Sequence, residues 1–235
     1  MNFAAGLYRV QAKSAGRIAA HSRKETLTGR LPEDADALLP AIAPVLDFAA
    51  RSGPEPLAEA ARARSRDAES TARTRLTAYW TGDGAPDDYL SRAILRPYAA
   101  VLRALRIEPG RRRAKGRCPS CGGAPWIAAR REGSLTEGAR RLLGCALCGG
   151  EWLFERILCP ACFEEDPRRL PSFRDEKYPT VRIEACETCR RYVKSIDLSE
   201  DARPIPEVDD LVSIAMDLWA AGEDYGRIEP GLAGI

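Results

Sequence analysis

The chain has 235 residues, 45% of them apolar and 30% charged, with a net charge of +2. That is ordinary for a soluble globular protein, long enough for one large or two smaller domains, and its near-neutral total gives no case for a nucleic-acid binder. No apolar run approaches the roughly 18 residues that span a bilayer, and Met1–Ala20, mildly basic and Ala-rich, lacks the continuous apolar stretch of a secretory signal. A cytoplasmic protein without membrane insertion is expected, whose cysteines are metal ligands or redox groups rather than structural disulfides.

Charge is unevenly placed. Asp197–Ile235 holds ten acidic and two basic residues, so the rest of the chain is strongly basic. Arg111, Arg112, Arg113, Lys115 and Arg117 form the densest basic run. It reads first as a solvated linker, and second as a docking patch for an acidic partner or nucleic acid.

In chain order, the first hundred residues read as helices. Apolar residues at Leu38, Leu39, Ile42, Val45, Leu46 and Ala49 give a helical stripe within Glu33–Ala50, with kinks expected at Pro40 and Pro44. Leu57–Trp80 is one stretch of good helix formers. After a loop at Gly82–Pro86, Asp87 and Asp88 open a further helix, acids being favoured in a first turn. Its stripe is Leu90, Ile94, Val101, Leu102 and Leu105. Pro109 and Gly110 end this helical part. Past the cysteines, a last helix is predicted from about Glu207 to Ala221. Its apolar face, Val208, Leu211, Val212, Ala215, Leu218 and Trp219, is expected to pack back on the protein.

The eight cysteines form four C-x-x-C pairs: Cys118/Cys121, Cys145/Cys148, Cys159/Cys162 and Cys186/Cys189. Each of the first four lies 41 residues before its counterpart among the last four. The chain therefore carries a duplicated module of the form C-x2-C-x23-C-x2-C. Two residues between cysteines let the backbone fold into a knuckle that aims both sulfurs at one ion about 2.3 Å away. Tetrahedral coordination needs two knuckles. Cys118, Cys121, Cys145 and Cys148 are thus expected to hold one ion, and Cys159, Cys162, Cys186 and Cys189 a second. Each interval has room for a β-hairpin. Strands are predicted at Pro125–Arg130, Arg140–Leu143 and Glu151–Leu158 in the first copy, and at Arg169–Phe173, Thr180–Glu184 and Arg191–Leu198 in the second. Gly122 and Gly149 follow the second cysteine of their knuckles and can take positive φ. Phe163 and Arg190 stand there in the second copy, which is expected to be looser or differently tuned. Four thiolates suit zinc or a single iron equally well.

The fold expected is α+β. A helical domain at 1–110 and a basic linker at 111–117 precede two tandem rubredoxin-like or zinc-ribbon-like four-cysteine β modules at 118–158 and 159–200, with a C-terminal helix and tail at 201–235. His21 is the only histidine, and no catalytic set can be built around it. A redox C-x-x-C usually stands alone at a strand–helix junction, so a thiol oxidoreductase is the weakest of the readings.

Several segments together resemble the formate dehydrogenase accessory proteins called FdhE. They are Leu90–Tyr98; Arg117–Gly122 with Pro125; Arg141–Cys148 followed by Glu151, Trp152 and Arg156; Ile183–Cys189 followed by Tyr192–Lys194; and Asp209–Leu211 through Asp217 and Leu218. The resemblance covers roughly residues 30–225. It implies a non-catalytic cytoplasmic protein with two bound metal ions, iron by resemblance or zinc. It also implies binding to the catalytic subunit of an exported formate dehydrogenase during maturation, and leaves homo-oligomerisation open. The part before the cysteines is shorter than in such proteins, and Ile228–Gly231 replaces an Asn-Pro-Phe-like segment. The alternative is a zinc-ribbon protein that binds nucleic acid through the basic linker.

Overall fold

The computed structural model describes residues 2–21, 26–85, 87–110, 114–133, 139–199 and 201–231. Arg111, Arg112 and Arg113 of the basic run lie outside the described residues. The chain divides into two compact units. One comprises residues 1–113 with 120–122 and 147–149, and the other the remainder.

The first unit is helical: α1 (Asn2–His21), α2 (Ala35–Ser52), α3 (Glu55–Arg64), α4 (Glu69–Thr81) and α5 (Tyr89–Leu105). Helix α1 buries Leu7, Gln11, Ser14 and Ile18 at helical spacing. Gln11 donates through Nε2 to the Ala93 carbonyl of α5 at 2.9 Å. In α2 the buried face is Leu38, Ala41, Val45, Leu46 and Ala49. Pro40 and Pro44 lie within α2 without ending it.

The stretch of helix formers over Leu57–Trp80 lies in two helices. Helix α3 stops at Arg64, and α4 begins at Glu69 after a turn at 65–68. The Arg75–Asp67 ion pair of 2.5 Å ties that turn to α4. Helix α5 starts where its acids predict, with Asp88 capping through an acceptor bond from the Ser91 N–H at 3.0 Å. A buried carboxylate, Asp34, fixes the loop before α2. It accepts from the Gly29 N–H at 2.8 Å and from the Tyr98 hydroxyl at 2.5 Å.

The second unit is built on a seven-stranded sheet: β1 (Pro125–Arg131), β2 (Arg140–Cys145), β3 (Glu151–Leu153), β4 (Ser172–Arg174), β5 (Val181–Cys186), β6 (Arg191–Leu198) and β7 (Gly226–Arg227). The duplication is visible in the strands, since β2 shifted by 41 residues falls on β5. Spatial order is β3-β2-β1-β6-β5-β4, with β7 beside β6. Each copy pairs its own three strands antiparallel, and the copies join by a parallel β1–β6 ladder from Ile127↔Lys194 to Arg131↔Leu198. The two modules thus share one continuous sheet. Two strands are shorter than predicted. β3 ends at Leu153, and Pro167–Arg169 forms a single 3₁₀ turn, so β4 starts only at Ser172.

Because side chains alternate across a strand, one sheet face presents Ile127, Ala129, Ile183, Tyr192 and Ile196, packed with Met216, Ala220 and Tyr225. Ala128, Leu143 and Val193 occupy the other face, with Trp152, Phe154 and Ile228 against them.

The C-terminal segment departs from expectation twice. It is two short helices, α6 (Pro206–Val212) and α7 (Ile214–Gly222), and the predicted apolar face is not the buried one. Val208, Val212, Leu218 and Trp219 are exposed, whereas Asp210, Ser213, Met216, Asp217 and Ala220 are buried. The reason lies on β6. Lys194 is fully buried, with Nζ 3.3 Å from Asp210 and ion-paired to Asp217, and it donates to the Asp210 carbonyl at 3.0 Å. Arg227 pairs with the same two carboxylates at 2.6 and 3.1 Å. The Tyr192 hydroxyl donates to Asp217 at 2.8 Å, and burial with that neighbouring carboxylate pushes the Tyr192 phenol up, so it stays a donor. Two cations and two carboxylates give a neutral buried network. Breaking it leaves an uncompensated charge, and this orients the segment more strongly than its apolar stripe.

Candidate metal centres

Each C-x-x-C lies at a sharp reversal of the chain. Cys118 N–H donates to the Gly123 carbonyl at 2.9 Å, Cys145 N–H to Gly150 at 2.8 Å, and Cys159 N–H to Glu164 at 2.9 Å. The residue after the second cysteine is left-handed in all four knuckles: Gly122 at φ 68°, Gly149 at 68°, Phe163 at 66° and Arg190 at 55°. The substitutions in the second copy therefore leave the backbone course unchanged. They place bulky residues where a Cβ costs roughly 1–2 kcal/mol.

Contacts offset that strain. Lys115 Nζ lies 5.4 Å from the Phe163 ring centroid. Arg190 stacks its guanidinium 3.9 Å over the Tyr225 ring, pairs with Glu187 at 2.7 Å and donates to the Glu223 carbonyl. Tyr225 also donates to Glu187. Its hydroxyl and the nearby Arg190 hold the Glu187 carboxyl below its usual range, burial opposing them.

The knuckles meet in pairs. The sulfurs of Cys118, Cys121, Cys145 and Cys148 all lie within 4.8 Å of one another, and so do those of Cys159, Cys162, Cys186 and Cys189. None of the eight forms a disulfide. In the second cluster, Cys159 Sγ is 3.7 Å from Cys189 Sγ, and Cys162 Sγ is 3.6 Å from Cys186 Sγ. A tetrahedron with metal–sulfur bonds of about 2.3 Å has edges of roughly 3.8 Å. The spacing fits one ion among four sulfurs and is far too long for a sulfur–sulfur bond.

Electrostatics agree. Burial pushes the Cys159 thiol up against opposing N–H contacts. Burial, with the hydrogen bond to Cys162, also pushes Cys189 up. At Cys186 burial is outweighed by hydrogen bonds from Cys189, Cys162 and Thr188, and its thiol is lowered. Four thiols this close cannot all ionise unless a cation compensates them.

The centres differ in cover. All four cysteines of the first are buried, while Cys162 and Cys189 of the second are half-buried. Across the second, Glu164 accepts from the Thr188 hydroxyl at 2.5 Å and from the Glu165 and Asp166 N–H groups at 3.0 Å, tying its two knuckles together. The structure thus groups the cysteines as the 41-residue offset pairs them. Of the predicted basic patch, Lys115 lies on the Phe163 ring and Arg117 donates its N–H to the Ala114 carbonyl at 3.1 Å. The Lys194–Asp210–Asp217–Arg227 network was missed. Its signal was the acids at i and i+7 of the closing segment, on the face opposite the apolar one.

Residues 157–232, which contain the whole second cluster, match the family described as FdhE, C-terminal domain. The chain is similar to the protein FdhE homolog of Aquifex aeolicus, at 32% identity over 51% of this chain and 42% of that protein. It is also similar to the homolog of Pseudomonas putida, at 31% over 64% and 49%. The chain spans less than half the length of these relatives. The crystal structure of the FdhE protein from Pseudomonas aeruginosa has a similar fold, with a TM-score of 0.68 at 23% identity, covering 98% of this chain and 87% of that one. Among the described residues, no helix is long and apolar enough to cross a membrane.

Proposed function

We propose that this chain, a relative of the FdhE proteins through the C-terminal domain at 157–232, is a non-catalytic accessory factor for formate dehydrogenase maturation. In this reading it binds the catalytic subunit in the cytoplasm before export. The observation that carries the reading is a coincidence of position. The segment that matches the FdhE domain holds Cys159, Cys162, Cys186 and Cys189 in one cluster, and its closing helices are fixed by a buried ionic network on the same sheet.

The two clusters would each hold one ion through four thiolates. Iron there supplies a one-electron couple, and zinc a redox-silent clamp. The protein's own part is to fix four sulfurs at tetrahedral spacing, shield them, and compensate their charge with N–H donors. The alternative through Arg111–Arg117 predicts nucleic-acid binding that weakens steeply with salt.

The test is co-purification of the tagged chain with a formate dehydrogenase catalytic subunit at moderate salt, with formate dehydrogenase activity measured in cells lacking the chain. Co-purification with loss of activity is expected. Full activity without the chain, and no complex, would overturn the reading. Elemental analysis with an optical spectrum of anaerobically purified protein separates two irons, giving ferric–thiolate absorption, from two colourless zincs.

A further inference from the structure

One sheet face is covered by α6 and α7, but the opposite face carries an arginine-lined cavity of about 160 Å³. Arg130, Arg141, Arg156, Arg182 and Arg191 line it, with Glu184 the one carboxylate among its lining residues. Register makes this a built arrangement. Arg130 lies directly opposite Arg141 across β1–β2, and Arg182 opposite Arg174 across β5–β4. Like charges opposed in a ladder destabilise a sheet unless something compensates them.

The compensation is incomplete. Glu184 pairs with Arg141 at 2.8 Å, and Asp197 pairs with Arg182. Among the described residues no carboxylate lies within 4.0 Å of Arg130, Arg156 or Arg191. Arg141 is buried, held by the Glu155 and Leu158 carbonyls at 2.9 and 3.0 Å, and its Nε has no hydrogen-bond partner. A buried donor without a partner costs about 1–3 kcal/mol. Burial, with Arg130 and Arg174 facing it, pushes the Arg182 guanidinium down despite Asp197 and Glu184.

We propose that this cavity binds a multiply charged oxyanion of the phosphate class. Guanidinium forks donate bidentately to such an anion, and the two buried arginines are already fixed in place by their carboxylates. Arg156 and Arg191 are exposed members of the lining. The cavity also touches Cys159 and Cys186, so the anion would sit beside the second cluster. This inference does not depend on the maturation role.

The test is calorimetric titration of inorganic phosphate into the zinc-loaded 235-residue chain at low ionic strength. Phenyl phosphate and acetate are titrated in parallel. Saturable one-to-one phosphate binding is expected, with acetate at least about tenfold weaker because it carries one charge. Arg130→Gln combined with Arg191→Gln should weaken phosphate at least about tenfold, through two lost charge-assisted bonds. Arg156→Gln, in the exposed loop after β3, should weaken it without touching the sheet. Arg203→Gln, whose exposed guanidinium pairs with Asp201, should leave it unchanged. Phenyl phosphate binding tighter than phosphate assigns the site to a phosphorylated molecule, and weaker binding assigns it to the free ion. Absent phosphate binding, equal acetate affinity, or variants that lose zinc without weakening phosphate would overturn the proposal, the last because the arginines would then only balance the thiolate cluster.

Discussion

The two four-cysteine clusters are copies that reach one backbone course by different means. In the first, Gly122 and Gly149 take the left-handed position and all four cysteines are buried. In the second, Phe163 and Arg190 hold the same left-handed region, and Cys162 and Cys189 are half-buried. The demand for positive φ comes from bringing two sulfurs of one knuckle to one point. Glycine meets it without strain. A bulky residue meets it only when its side chain gains elsewhere, as Phe163 does with Lys115 and Arg190 with Tyr225, Glu187 and Glu223. The second centre is therefore held partly by contacts outside its own knuckles.

The largest expected effect is metal removal. Structural zinc sites of this kind contribute on the order of 10 kcal/mol to folding. Chelator titration followed by a chromogenic zinc indicator should release metal in two steps, the half-exposed second centre first. With Cys189→Ser only the slow step should remain, and with Cys145→Ser only the fast one. A single step in the intact chain would erase the distinction.

Next is Lys194→Met, which leaves Arg227 as the one cation for Asp210 and Asp217, so one buried negative charge goes uncompensated, and it should cost roughly 3–5 kcal/mol in urea unfolding. It frees the segment that carries Tyr225, so the same variant should speed metal loss from the second centre and leave the first alone. Equal acceleration at both would break the comparison.

Reciprocal glycine changes are smaller. Gly149→Ala should destabilise by about 1–2 kcal/mol. Phe163→Gly relieves a similar strain but gives up its contact with Lys115, so a net gain of about 0.5 kcal/mol is expected in thermal melts. Tyr225→Phe removes the hydrogen bond to Glu187 and is of similar size, with an expected cost of about 0.5–1.5 kcal/mol. Its stacking on Arg190 would remain.

The clusters were legible because metal geometry imposes local spacing. A C-x-x-C and a common 41-residue offset survive in sequence whatever the rest of the chain does, and the offset also carries β2 onto β5. The closing helices were read on the wrong face for a corresponding reason. Val208, Val212, Leu218 and Trp219 make a better apolar stripe than Asp210, Ser213 and Asp217. Only the distant Lys194 and Arg227 turn those acids inward. Periodicity weighs a helix by itself and cannot see a charge 16 residues upstream that its face will neutralise. The break at 65–68 has only a weak local signal, because the turn-favouring Ser65 and Asp67 alternate with the good helix formers Arg66 and Ala68. The joining of both copies in one sheet depends on a β1–β6 pairing that no local pattern announces.

That pairing has a consequence for how the chain is made. Ile127 meets Lys194, 67 positions further on. A ribosome that has delivered the whole first copy has produced a β1 strand with one bare side. The side stays bare until the last strand of the second copy emerges, several seconds later at ordinary rates of synthesis. During that interval the nascent protein offers an unpaired strand template to its neighbours, so synthesis that stalls between the copies should yield aggregates rather than a folded half.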